Sequence, residues 1–160
     1  EREEGDRHRD RHVHADHADL ALARFAVDTR DLDEAAKRLR TVAESSRDPE
    51  LRLIAQSRLA RVLSEQGKHD DALKLLDVAT AGSFMPIFHE IRGDVLAAKG
   101  DVAGARQAYD AALAATASVK AQAFDREYVE LKRDALPATV AAAAAVATPS
   151  ADAPVAGAKP

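Results

Sequence analysis

Three stretches of the sequence share one register: LARFAVDTRDLDEAAKRL from Leu22, LARVLSEQGKHDDALKLL from Leu59 and RGDVLAAKGDVAGARQAY from Arg92, at offsets of 37 and 33 residues. A small residue stands at Ala23, Ala60 and Gly93, and another twelve positions later at Ala35, Ala72 and Ala105. Large residues follow at Leu39, Leu76 and Tyr109, and then come Val42, Ala79 and Ala112. Ala26, Leu63 and Leu96 stand one helical turn after the first small position. Two antiparallel helices joined by a tight turn approach closely only where both carry small side chains. The small–small spacing therefore predicts a helix pair, and the large residue one turn later fills the space toward the next pair. The turn is expected at Arg30, Gly67 and Gly100, two of them the residue best suited to a left-handed helix stop. A single pair of this kind cannot bury its apolar face alone, so the recurrence restricts the chain to stacked helix pairs.

The composition agrees. Alanine occupies 37 of 160 positions, whereas there are four Phe, two Tyr and no Trp. A chain so poor in aromatic residues is unsuited to a sandwich or barrel. With no Cys, disulfide scaffolds, thiolate zinc sites, iron–sulfur clusters and Cys nucleophiles are excluded. A net charge of −4 argues against non-specific nucleic-acid binding. The longest apolar stretch, from Val140 to Ala147, is too short to span a bilayer. A start at Glu1 rather than Met is expected of a fragment or a processed product.

Apolar residues recur with helical period from about residue 14 to residue 135. Leu51, Ile54, Ala55, Leu59, Val62 and Leu63 form one stripe, with Pro49 placed in the first turn and Gly67 at the end. Ala72, Leu73, Leu76 and Ala79 form the next, broken by Gly82 and Ser83; Pro86 then opens a further helix, which ends at Gly100 and Asp101. The segment from Ala117 carries Ala121, Phe124, Tyr128, Leu131 and Ala135 on one side of a last helix, expected to close the stack. The expected fold is all-α: about seven helices, forming a solenoid of about three helix pairs plus a C-terminal closing helix. Residues 1–13, almost wholly charged or His, are expected to be disordered, residues 14–136 to form the repeat domain, and residues 137–160 to form a disordered Ala/Pro tail.

This spacing resembles the tetratricopeptide repeat. A closer resemblance lies in DPELRLIAQSRLARVLSEQGKHDDAL followed by EIRGDVLAAKGDVAGARQAY, which is similar to the YfgM-like ancillary subunits of the SecYEG translocon. The matching positions are Asp48, Pro49, Leu51, Ala55, Arg58 to Leu63, Gln66 to Lys68, Glu90, Arg92 to Asp94, Lys99 to Asp101, Ala105, Arg106 and Tyr109. Residues 1–19 match nothing in that pattern. The resemblance implies a non-catalytic protein-binding scaffold on the periplasmic side of the inner membrane. Its partners would be the translocon, a periplasmic chaperone and exported chains, with a single-pass anchor expected upstream. The alternative is a soluble cytoplasmic tetratricopeptide adaptor that binds a peptide or regulator.

No catalytic residue, cofactor or metal is expected. His8, His12, His14 and His17 lie near Asp10, Asp16 and Asp19 at helical spacing, but without a His-Glu-x-x-His pattern they read as a solvated polar end. His69 reads as an exposed residue near a helix start and His89 as a packing residue. The expected binding surface is the concave face lined by the first helix of each pair. Its candidates are Arg24, Arg61 and Asp94, each directly after the first small position, together with Ile54, Ser57, Glu65, Ile87 and Glu90.

Overall fold

The computed structural model describes the backbone of residues 2–115 and 124–137, and side chains from residue 13 onward. Seven α-helices occur among the described residues: α1 (Arg2–Asp28), α2 (Leu32–Ser45), α3 (Pro49–Glu65), α4 (His69–Leu75), α5 (Met85–Lys99), α6 (Val102–Ala115) and α7 (Arg126–Asp134). A single 3₁₀ turn, Gly82–Phe84, precedes α5. The helices pair as α1 with α2, α3 with α4, and α5 with α6. Contacts of α1 with α3 and of α3 with α5 form one layer from the first helices of the pairs, and α7 packs on α6 at the end of the stack.

The small positions close the pairs. Ala23 and Ala35 in the first, Ala60 and Ala72 in the second, and Gly93 and Ala105 in the third are all buried. Leu39, Leu76 and Tyr109 are buried one turn later. The main core runs from Leu20 to Val95, and a second cluster joins Ala105, Tyr109, Ala112 and Leu113 to Val129 of α7.

The three turns share one hydrogen-bond pattern. Arg30, Gly67 and Gly100 all have positive φ, at 64°, 76° and 88°. In each, this residue's N–H bonds back to Val27, Ser64 or Ala97, and the next N–H reaches the carbonyl of Ala26, Leu63 or Leu96. This is the left-handed helix stop that satisfies the last carbonyls of the helix. Asp31 and Asp101 then cap the following helices by accepting from the N–H of Glu34 and Gly104. Arg30 alone holds the left-handed conformation with a Cβ, which is strained for an L-residue. Its ion pair with Glu65, at 3.4 Å, is solvent-exposed and contributes little. Arg30→Gly is therefore expected to stabilise the fold by about 0.5–1 kcal/mol, read as a higher midpoint in urea denaturation.

Helix α1 begins at Arg2. Residues 1–13 contain no proline and are rich in Arg and Glu, so nothing breaks the helix that continues into the repeat. Two expectations are corrected. The second pair's outer helix ends at Leu75, leaving Ala79 exposed outside any helix. Asp77 causes this: its carboxylate accepts from the Ala79 N–H (3.0 Å) and the Thr80 hydroxyl (3.3 Å), a local turn that competes with helix continuation. Arg92 Nη1 donates to the freed Leu76 carbonyl at 3.4 Å. Finally, α7 begins at Arg126, capped by Asp125, and turns Tyr128 and Leu131 to solvent while burying Val129. The expected helix start at Ala117 and residue Ala121 lie outside the described residues, as does the Ala/Pro tail beyond Pro137.

Candidate functional site

The sequence candidates divide into three groups. Arg24 of α1 and Arg61 and Glu65 of α3 line one groove of about 380 Å³ between these helices. Its floor is apolar (Ala23, Val27, Leu39 and Val62), and Arg58 adds a third guanidinium to the wall. Arg58 was missed by the sequence reading, although its spacing of three from Arg61 places both on one helix face. Ile54 and Ile87 pack partly buried against the core, and the Ser57 hydroxyl donates to the Ile54 carbonyl at 2.8 Å.

Glu90 and Asp94 are engaged from within the molecule. Lys132 of α7 places Nζ 2.8 Å from Glu90 Oε1 and 2.9 Å from Asp94 Oδ1. The Tyr109 hydroxyl donates to Asp94 Oδ1 at 2.8 Å, and Lys132 Nζ lies 4.5 Å from the centre of the Tyr128 ring. Arg61 Nη2 approaches Glu90 Oε1 from α3 at 3.8 Å. Burial opposes the Lys132 charge, but hydrogen bonds to Glu90 and Asp94 outweigh it and raise the ammonium pKa above its ordinary 10.5. Burial, and then the Asp94 acceptor, push the Tyr109 phenol far above its ordinary 10.0. A group whose pKa is raised on folding contributes stability below its unfolded pKa and loses it as pH rises. Both groups act in the same direction, so the urea midpoint is expected to fall from about pH 10 upward, and less steeply in Tyr109→Phe.

The histidines stand apart from this cluster. His14 and His17 are exposed, while neighbouring Asp16 accepts from the Ser46 hydroxyl (2.6 Å) and Asp19 from Arg38 Nη1 (2.8 Å), joining α1 to α2. The side chains of His8 and His12 lie outside the described residues. His69 Nδ1 is 3.3 Å from the Ser64 hydroxyl, and its side chain is partly covered rather than exposed. Burial and then the Arg92 charge lower the pKa of His89, which sits partly buried in α5. Among the described residues, no group of three His, Cys, Asp or Glu is arranged to hold a metal ion, and no helix is long and apolar enough to cross a membrane.

The tetratricopeptide repeat-like domain family matches residues 5–138, which includes every described helix pair. The chain belongs to this family. Within it, the repeat-like chain is 37% identical over 94 residues to the ancillary SecYEG translocon subunit of Escherichia coli strain K12, covering 59% of this chain and 46% of that protein. It is 32% identical over 124 residues to the ancillary SecYEG translocon subunit of Neisseria gonorrhoeae, covering 78% of this chain and 58% of that protein. The chain thus spans about half the length of the curated relatives it matches. No solved structure matches it. The tetratricopeptide register explains why Arg24, Arg61 and Asp94 fall on one layer, since each follows the small residue that fixes its helix against the partner.

Proposed function

We propose that this protein is a non-catalytic scaffold that binds protein partners along its inner helix layer and serves as an ancillary subunit of the SecYEG translocon. The observation that carries this reading is the likeness to two proteins of that name from different bacteria. The open groove between α1 and α3, with an apolar floor and a charged wall, gives the scaffold a surface suited to a polypeptide. The binding unit is the repeat domain over residues 14–136. The partners are the translocon, a periplasmic chaperone and exported chains, with no part for nucleic acid, cofactor or metal. The site of action is the periplasmic side of the inner membrane, reached through a single-pass anchor upstream of the repeats.

The test uses the full natural gene product and purified SecYEG in detergent. Co-elution of the two on size exclusion, together with fractionation of the protein to the inner membrane, supports the reading. Failure to associate, with the protein recovered in the cytoplasm, contradicts it.

A further inference from the structure

The inner helices carry a ladder of charges in which one rung is missing. Between α3 and α5, Arg61 faces Glu90 at 3.8 Å. Between α5 and α7, Lys132 faces Glu90 and Asp94 at 2.8 and 2.9 Å. In both junctions an acid on α5 meets a cation on another helix. The repeat register carries this comparison to the first junction. Arg24 on α1 corresponds to Arg61 on α3, and Ser57 on α3 corresponds to Glu90 on α5. The position that supplies Arg61 with a carboxylate therefore supplies Arg24 with a serine, whose hydroxyl is turned to its own helix.

The consequence is a concentration of like charge. Arg24, Arg58 and Arg61 line the same groove, and Arg24 and Arg58 have no carboxylate partner among the described residues. Glu65 is the only acid in the lining, so one carboxylate, itself in an exposed contact with Arg30 at 3.4 Å, stands against three guanidinium groups. Arg24 on α1 and Arg58 and Arg61 on α3 thus place positive charge on both sides of the groove. Below the guanidinium groups lies an apolar floor of Ala23, Val27, Leu39 and Val62. Guanidinium groups bind carboxylates in directional, charge-assisted pairs, and the apolar floor accepts a side chain released from water.

We propose that the groove between α1 and α3 binds an acidic–apolar polypeptide segment, one of whose carboxylates takes the place of the missing rung opposite Arg24. This rests on the reading of the inner layer as a protein-binding surface and names the chemistry of its occupant. The ligand's carboxylates pair with Arg24 and Arg58, and an adjacent apolar side chain rests on Val27 and Val62. A basic segment is repelled by the same three arginines, so the groove discriminates by charge although the protein as a whole is acidic.

The experiment measures fluorescence anisotropy of a fluorescein-labelled peptide of alternating Glu and Leu, and of its Lys–Leu counterpart, with the purified chain. The Glu–Leu peptide is expected to bind at least about tenfold more tightly, with an affinity that falls as salt is raised. Arg24→Glu is expected to weaken it about tenfold and to improve binding of the Lys–Leu peptide. Ser57→Glu supplies the rung internally and is expected to lower Glu–Leu affinity to a similar degree, and Ser57→Gln, which brings no charge, to lower it less. Circular dichroism checks that each variant folds. Equal binding of the two peptides, or insensitivity to both Arg24→Glu and Ser57→Glu, overturns the proposal. Translocon co-elution that persists when the peptide does not bind separates the failure of this inference from failure of the scaffold reading.

Discussion

Replacing Lys132 with alanine is expected to destabilise the protein by about 2 kcal/mol, between the small cost of losing an exposed ion pair and the larger cost of breaking a fully buried one. The ammonium is held between Glu90 and Asp94, and Glu90 is only 12% exposed in its side chain. Removing the cation leaves two carboxylates adjacent and partly shielded from water, which is costlier than the pair's own net contribution. It also removes a tie between α7 and α5, so amide hydrogen exchange should rise first across Arg126–Asp134. The triple variant Lys132→Met, Glu90→Gln, Asp94→Asn removes the charges together and is expected to regain much of the loss. A single variant as stable as the parent would show that the cluster is not what docks α7.

Gly93→Ala has the second large effect, and its sign discriminates between two causes. Helix propensity favours alanine over glycine in a helix interior by about 0.5–1 kcal/mol. Packing opposes it: a Cβ at Gly93 would stand 2.5 Å from Tyr109 Cδ1 and 2.9 Å from Cζ. The ring is 3% exposed and anchored by its hydroxyl to Asp94, so it cannot swing aside freely. Overpacking costs about 1–3 kcal/mol, and with so rigid a neighbour a net loss of about 2 kcal/mol is expected. Urea denaturation of Gly93→Ala, Tyr109→Leu and the double variant measures the coupling. The double variant should lose clearly less than the sum of the single losses. A more stable Gly93→Ala protein would mean that α5 and α6 do not meet at this position.

The repeat positions were the most legible part of the sequence because close helix contact restricts them most tightly. A position buried between paired helices with no room for a larger side chain admits only Ala or Gly, so Ala23, Ala60 and Gly93 keep their register despite different surroundings. The turns at Arg30, Gly67 and Gly100 were legible because backbone conformation, rather than packing, fixes them. The closing helix was misread because its apolar spacing is regular on the wrong side. Tyr128 and Leu131 follow a helical stripe, yet the inward face is chosen by Val129 and by the attraction of Lys132 to two acids on α5. That attraction depends on residues far apart in sequence, which periodicity does not register. For the same reason Glu90 and Asp94 looked like groove residues equivalent to Ser57 and Arg61, although α7 holds them. The end of α4 was hidden by a local competition, since Leu76 keeps its buried place while Asp77 diverts the backbone.

The most direct test of the account places a photocrosslinking benzoylphenylalanine at single sites in the full natural gene product in cells. Arg58 samples the groove, and Lys37 on α2 and Gln107 on α6 sample exposed positions on the outer helices. Discrete protein adducts from position 58, including a translocon subunit, and none from positions 37 and 107 are expected. Adducts from the outer helices with none from the groove would contradict the assignment of the inner layer as the surface that holds partners.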